Sequence, residues 1–319
     1  MKKIIGFIIF LIVVNSSFSQ SDSTVVYLDK NFYKTEKDSA QYTLVIEPIQ
    51  EDNTFRVKIF YLSGELASSG ISTSAKSVLY QGPYISYYKN GQTKTKGSYK
   101  EKTKIGEWKS WYQNGQLKSV DNYLDFENKK LDPMLKHQLL EYYDSTGNQI
   151  ITEGAGLYVE HFENSQQVRE SGNYKKGYKA GEWKGYRIDG SNFYTENYTK
   201  GVIKNGISWD DEGKQYSYTQ LEEPAVPMDG REKFYQRIGQ NLRYPEEARR
   251  KGIEGRVFIQ FVVNKEGKLT EIAVIKSPHH SLSIESERIL RLEKDWIPGK
   301  QKGQNVNQRI ILPITFKLQ

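Results

Sequence analysis

The sequence predicts a mainly β chain carrying a small α+β domain: a stacked array of β-hairpin repeats, followed by helix, strand, strand, helix, strand. Two observations predict this. The segments GPYISYYKNGQ from Gly82, GEWKSWYQNGQ from Gly106, GLYVEHFENSQ from Gly156 and GEWKGYRIDGS from Gly181 align without gaps, and a worn copy starts at Gly206. Over residues 244–318 that repeat is lost, and punctuated helical runs alternate with strongly apolar strands.

Residues 1–19 hold Lys2 and Lys3, an apolar run over 4–14 and a small-residue stretch ending Ser17-Phe18-Ser19, the pattern of a secretory signal peptide. The apolar run is too short for a spanning helix, which needs about 20 residues. Export to the periplasm is expected, with inner-membrane anchoring by an uncleaved signal as the alternative. The chain has no cysteine, which excludes disulfides, thiolate metal sites and thiol catalysis. Its 46 basic residues outnumber 39 acidic ones, and from Pro224 onward 18 basic residues stand against 11 acidic. A basic terminal domain suits an acidic peptide or an anionic surface; export argues against nucleic acid. A plainly solvated surface explains the same charge.

Residues 20–56 are read as an N-terminal cap, with a strand over 41–46, since a repeat array needs its open end covered. The array itself is read over 57–220. Copy starts are separated by 24, 50, 25 and 25 residues, and LLEYYDSTGNQ from Leu139 fills the long gap, while VKIFYLSGELASSG from Val57 is a first copy. A period near 25 indicates units that depend on their neighbours for burial. Asn90-Gly91, Asn114-Gly115 and Asp189-Gly190 are expected to supply the positive φ angles of tight hairpin turns. Tyr and Trp flank them, with Trp108 and Tyr112 on one face and Trp111 on the other, so stacked hairpins should align rings into ladders. Segment 221–228, with Pro224 and Pro227, is read as a short stiff linker.

The terminal domain is read over 229–319. Phe234, Ile238 and Leu242 recur at four-residue spacing, the mark of a helix over 231–242. Pro245 suits a first helical position, Glu246 and Glu247 its positive start, Arg249, Arg250 and Lys251 its negative end, and Gly252 its termination. Val257, Ile259, Phe261 and Val263 give a strand one apolar face; 264–267 is a turn, and 272–275 the returning strand. Ser283 is expected to cap a helix bearing Ile289, Leu292 and Trp296 on one stripe. In the last strand Ile310, Leu312, Ile314, Phe316 and Leu318 share a face. Pro313 in its middle gives no N–H to a ladder, which places this strand at a sheet edge or bulge.

Tyr244-Pro245, Ile253-Glu254-Gly255-Arg256-Val257, the Lys265-Glu266-Gly267 turn, Trp296-Ile297-Pro298-Gly299-Lys300 and Pro313-Ile314-Thr315-Phe316 together resemble the C-terminal domain of TonB-like energy transducers. The resemblance implies a periplasmic module to which a peptide of an outer-membrane TonB-dependent receptor adds as an extra strand. Along 306–318 the expected contacts are Arg309, Ile311, Pro313, Thr315 and Lys317, with Tyr244 and Pro245 as the neighbouring lead-in segment. In that family a membrane helix and a long proline-rich spacer connect to an inner-membrane motor. This chain has nine prolines in all and an array where the spacer would be, so contact with motor proteins is not expected of a cleaved chain. The array resembles MORN-type repeats of the YwqK antitoxin-like group, a likeness that implies architecture and no catalytic residue.

No enzyme constellation emerges. His137, His161, His279 and His280 have no metal-ligand spacing, and the nucleophile-elbow, phosphate-loop and dinucleotide signatures are missing. The reading is a non-enzyme without catalytic residues, metal or cofactor. Two alternatives to the receptor-binding reading are a non-energised envelope scaffold, whose repeats bind a partner or surface, and a repeat-based toxin inhibitor.

Overall fold

The computed structural model describes residues 23–49, 53–125, 133–163, 165–293 and 295–318; the leader read in 1–19 lies outside them. Ten strands form a first sheet in chain order: β1 (Thr24–Leu28), β2 (Tyr42–Ile49), β3 (Thr54–Tyr61), β4 (Leu66–Ser72), β5 (Tyr80–Tyr87), β6 (Thr93–Lys100), β7 (Thr103–Trp111), β8 (Leu117–Tyr123), β9 (His137–Tyr143) and β10 (Gln149–Ile151). Six more form a second, again in chain order: β11 (Gly156–His161), β12 (Val168–Lys175), β13 (Tyr178–Tyr186), β14 (Asn192–Thr199), β15 (Val202–Trp209) and β16 (Gln215–Tyr218). The chain divides into two compact units: the second comprises Lys184–Asn197 and Ile203–Gln319, and the first holds the described residues up to Trp183 with Tyr198–Val202.

Each repeat copy is a hairpin. The bond that closes it recurs as Tyr61 N–H to Glu65 O, Tyr88 to Gln92, Tyr112 to Gln116, Asp144 to Asn148, Arg187 to Ser191 and Asp210 to Lys214. The segments read as copies from Val57 and Leu139 close with the same bond, their starts lying two residues and one residue nearer to it than that of the Gly82 copy. The final one is offset by two residues: counting back from its closing bond, Gly206 stands where Trp183 stands in the preceding hairpin, not where Gly181 does.

The turns differ from expectation. Gly91, Gly115 and Gly190 have φ of 84°, 87° and 86°, but the Asn or Asp before each stays at negative φ. Its side chain instead accepts from the backbone two residues on, as in Asn90 Oδ1 from Gln92 N and Asp189 Oδ1 from Ser191 N. These are Asx turns. Two-residue turns with both central φ positive lie at the opposite end of the hairpins, at Glu101-Lys102, Lys176-Gly177 and Lys200-Gly201.

Ring ladders form as expected. Trp108 lies 5.0 Å from Tyr99 and 5.9 Å from Tyr84, and Trp183 lies 5.2 Å from Tyr174 and 5.8 Å from Tyr158. Both indoles donate to a carbonyl of the preceding strand at 3.1 Å, Ser98 and Asn173. A Cβ on Gly97 or Gly172 would fall 2.2 or 2.3 Å from the indole, so only glycine fits beneath each tryptophan. The rungs are also tied: the Tyr61, Tyr88 and Tyr112 hydroxyls donate to the carbonyls of Tyr87, Trp111 and Tyr143. In the region read as the N-terminal cap, β1 and β2 add Val26, Leu28, Leu44 and Ile46 to an aliphatic cluster with Val57 and Ile59. β1 gave no sequence signal.

Segment 221–228 is not a free linker. Its strands β17 (Glu222–Glu223) and β18 (Val226–Pro227) pair with β22 (Gly299–Gln301) and β21 (Trp296–Ile297), and β22 pairs with β23 (Gln304–Val306). The terminal domain then has α1 (Arg231–Asn241), α2 (Glu246–Arg250), β19 (Gly255–Val263), β20 (Leu269–Lys276), α3 (His280–Arg291) and β24 (Gln308–Phe316). Val257, Ile259, Phe261 and Val263 are fully buried and meet Leu282, Ile289 and Leu290 of α3, with Leu312, Ile314 and Phe316 of β24 completing the core. α3 begins before Ser283, because His279 is its cap: its Nδ1 accepts from Ser281 N–H. The buried stripe runs through Leu282, Glu285, Ser286, Ile289 and Leu290, so Leu292, the C-cap, is left exposed, while Trp296 reaches the same core from a strand.

Candidate functional site: the open edge of the terminal sheet

The three-stranded sheet has the order β20-β19-β24, so β24 lies at an edge, as Pro313 predicted. Alternation does the rest. Leu312, Ile314 and Phe316 are buried while Arg309, Ile311, Pro313 and Thr315 are exposed, as is Lys317 just beyond the strand, so the expected contact residues all share the outer face. β24 pairs with β19 through nine successive residues, from Gly255 with Phe316 to Val263 with Gln308, without a register shift.

The pleat also sorts the backbone. Leu318 N–H points to the β19 side, where it donates to Glu254 Oε1 at 2.6 Å. In a regular antiparallel strand the N–H and C=O groups of one residue share a side and alternate along the chain. Those of Ile310, Leu312, Ile314 and Phe316 therefore turn to β19, and those of Arg309, Ile311 and Thr315 turn outward. Pro313 falls in the outward set, where its missing N–H leaves the ladder intact.

Both ends of β24 are fixed, the start by residues the sequence reading did not single out and the end by the lead-in segment that it did. At its start, Gln308 Oε1 accepts from Ala225 N–H at 2.5 Å, and Asn307 Oδ1 accepts from Lys265 N–H. At its end, Tyr244 stands edge-on to Phe316 at 5.8 Å and donates to Ile253 O at 2.6 Å. Desolvation, with the Glu254 charge adding, raises the Tyr244 hydroxyl above the usual phenol range. Arg243 N–H, just before it, donates to Glu285 of α3. Desolvation pushes Glu285 upward, but hydrogen bonds from the Arg288 guanidinium and Arg243 N–H outweigh it and hold this carboxylate below its ordinary range. The lead-in segment Tyr244-Pro245 thus braces the far end of the edge strand. Pro245 itself is the cap of α2, its carbonyl accepting from Arg249 N–H, one position outside the helix expected of it. Single polar residues such as Gln308 and Glu254 carry no periodicity, and only their neighbours in space identify them.

Arg309 meets Glu271 of β20 at 3.2 Å with both side chains largely solvated, so the pair leaves Arg309 available to an incoming charge. Among the described residues no cluster of three or more His, Cys, Asp or Glu could hold a metal ion, and no helix is long and apolar enough to cross a membrane. The groups this site offers are outward amides and carbonyls on a flat edge, flanked by one aliphatic and two cationic side chains.

Residues 240–318 match the family described as Gram-negative bacterial TonB protein C-terminal. Two relatives, each a Protein TonB from Helicobacter pylori (strains J99 and 26695), are 38% identical over 61 residues, which is 19% of this chain and 22% and 21% of theirs. The chain thus matches about a fifth of the length of these relatives. The fold is a stacked antiparallel array followed by a TonB-like C-terminal domain.

Proposed function

We propose that this is an envelope protein whose TonB-like domain binds an extended peptide of an outer-membrane receptor by strand addition at β24, in support of transport across the outer membrane. The observation that carries the reading is the unshifted nine-residue edge whose outward amides flank Pro313, in a domain similar to the C-terminal part of TonB proteins. Main-chain pairing would supply affinity; Ile311, Arg309 and Lys317 would set register and favour an acidic peptide. Titrating the exported chain with synthetic peptides from the periplasmic ends of outer-membrane receptors tests this. Binding that Ile311→Pro weakens by about tenfold or more supports it; no binding to any of them contradicts it.

A second reading, a non-energised scaffold of MORN-like repeats with the terminal domain as docking module, is favoured by a sheet array and few prolines where an energy transducer would need a spacer. Envelope fractionation separates the two. A mature N-terminus at Gln20 supports the scaffold, and inner-membrane retention with Met1 intact supports the transducer.

A further inference from the structure

The array places a lysine over its rings in a recurring way. Lys104 Nζ lies 4.1 Å from the Trp108 ring and 5.1 Å from that of Tyr123. Three periods later Lys179 lies 3.6 Å from Trp183 and 5.6 Å from Tyr198, and pairs with Glu170 at 3.2 Å. In both hairpins the lysine precedes its tryptophan by four residues on the same strand. The last hairpin lacks both parts: Gly206 occupies the tryptophan position, and four residues before it stands Val202.

A lysine from the terminal domain lies over rings of the strands on either side of β15 instead. Lys302 Nζ lies 3.6 Å from the Tyr194 ring and 5.9 Å from that of Tyr218, and forms an ion pair with Glu196. The Tyr218 hydroxyl donates to the same carboxylate at 2.7 Å. The backbone is held as well. Ser208 Oγ donates to Lys302 O at 2.7 Å, Gln304 Nε2 donates to Ser208 Oγ, and Lys302 N–H donates to Leu221 O.

This burial is unusual for where Lys302 sits. It is the first residue of the two-residue turn between β22 and β23, with φ 49° followed by Gly303 at 78°. The lysines in the array's own two-residue turns, Lys102, Lys176 and Lys200, are exposed, whereas the Lys302 side chain is 8% exposed and that of Glu196 1%. An ammonium so placed is tolerated only with its countercharge and ring faces in position. Glycine suits position 303 as well, since a side chain would be strained at φ 78° and a Cβ there would approach Ser217 O to 3.1 Å.

We propose that the β22–β23 hairpin is the C-terminal cap of the repeat array, Lys302 supplying from the terminal domain the cation that the Trp108 and Trp183 hairpins supply themselves. The sheet with the open β24 edge is then seated on the last hairpin, not tethered to it. The inference stands whether or not β24 binds a peptide.

Amide hydrogen exchange on the full-length protein tests it. Lys302→Met keeps side-chain length and removes the ammonium from the buried Glu196 carboxylate; exchange at Gln215–Tyr218 and Gln304–Val306 should quicken by about tenfold or more, with β19 unchanged within about twofold. Adding Glu196→Leu should restore most of that protection, because no uncompensated charge remains. Glu196→Gln, the milder change, should quicken the same two segments to a smaller extent, and it decides the matter if Lys302→Met does not fold. Protection at both segments unchanged within about twofold in the variants that fold, or lost equally across β19, would overturn the proposal.

Discussion

The terminal sheet has two edges, and they are built differently. β24 pairs with β19 through nine residues in register. β20, on the other side, slips twice against the same strand, between Phe258 and Ile259 and between Gln260 and Val262, and carries Glu271 at φ 50°. Bulges of this kind twist a strand away from flatness and blunt it against further pairing. One edge is therefore protected by its own irregularity, while the other is left flat. Pro313 costs β24 one donor of the outward set, and Arg309 adds a charge, but neither breaks its register.

That contrast can be broken in several ways, the largest effect being in the face that both edges share with the core. Phe316→Ala, beneath β24, should cost about 3–5 kcal/mol of domain stability in denaturant unfolding, whereas Thr315→Ala on the outer face should stay within about 0.5 kcal/mol. Comparable losses at both positions would mean that the alternation along β24 is wrong. Next comes the blunted edge itself. Glu271→Val puts a β-branched residue at a left-handed position and should cost about 1–2 kcal/mol, well beyond the worth of the solvated pair with Arg309. A neutral result would argue that the bulge is not a fixed feature of β20. Placing a charge on that edge with Ile275→Lys should leave peptide affinity within about twofold, in contrast to Ile311→Pro on β24.

The smallest effect concerns pH. Glu285 has its folded pKa lowered, so the stability it contributes is fully present above the ordinary glutamate range near 4.3 and is lost as pH falls through the depressed value. Thermal melts of the domain should weaken on acidification below about pH 4.5, and Glu285→Gln should be less stable at neutral pH and show a shallower acid slope. An unchanged slope would remove Glu285 as the brace of the Arg243-Tyr244 segment.

Much of this contrast was legible in the sequence, for identifiable reasons. Large apolar residues at every second position from Ile310 to Phe316, with Pro313 on the opposite parity, are a pattern of period two, and it placed both the core face and the edge. The hairpins were legible because Gly91, Gly115 and Gly190 recur at the repeat spacing. The start of α3 was not, because His279 caps it through a ring nitrogen while Ser281 and Ser283 offer the usual cap chemistry nearby. The prolines of 221–228 suggested a linker, yet Pro227 tolerates strand pairing in a two-residue strand where no longer ladder is interrupted. Lys302 and Glu196 stand 106 residues apart, and no local pattern marks either.

The most direct test of the open edge is to compare amide exchange of the free protein with that of its complex with a binding receptor peptide. The account predicts that Arg309, Ile311 and Thr315 exchange fast in the free protein and become protected on binding, with the residues of β20 unaffected. Amides at those three positions already protected in the free protein, or new protection appearing along β20 instead, would contradict it.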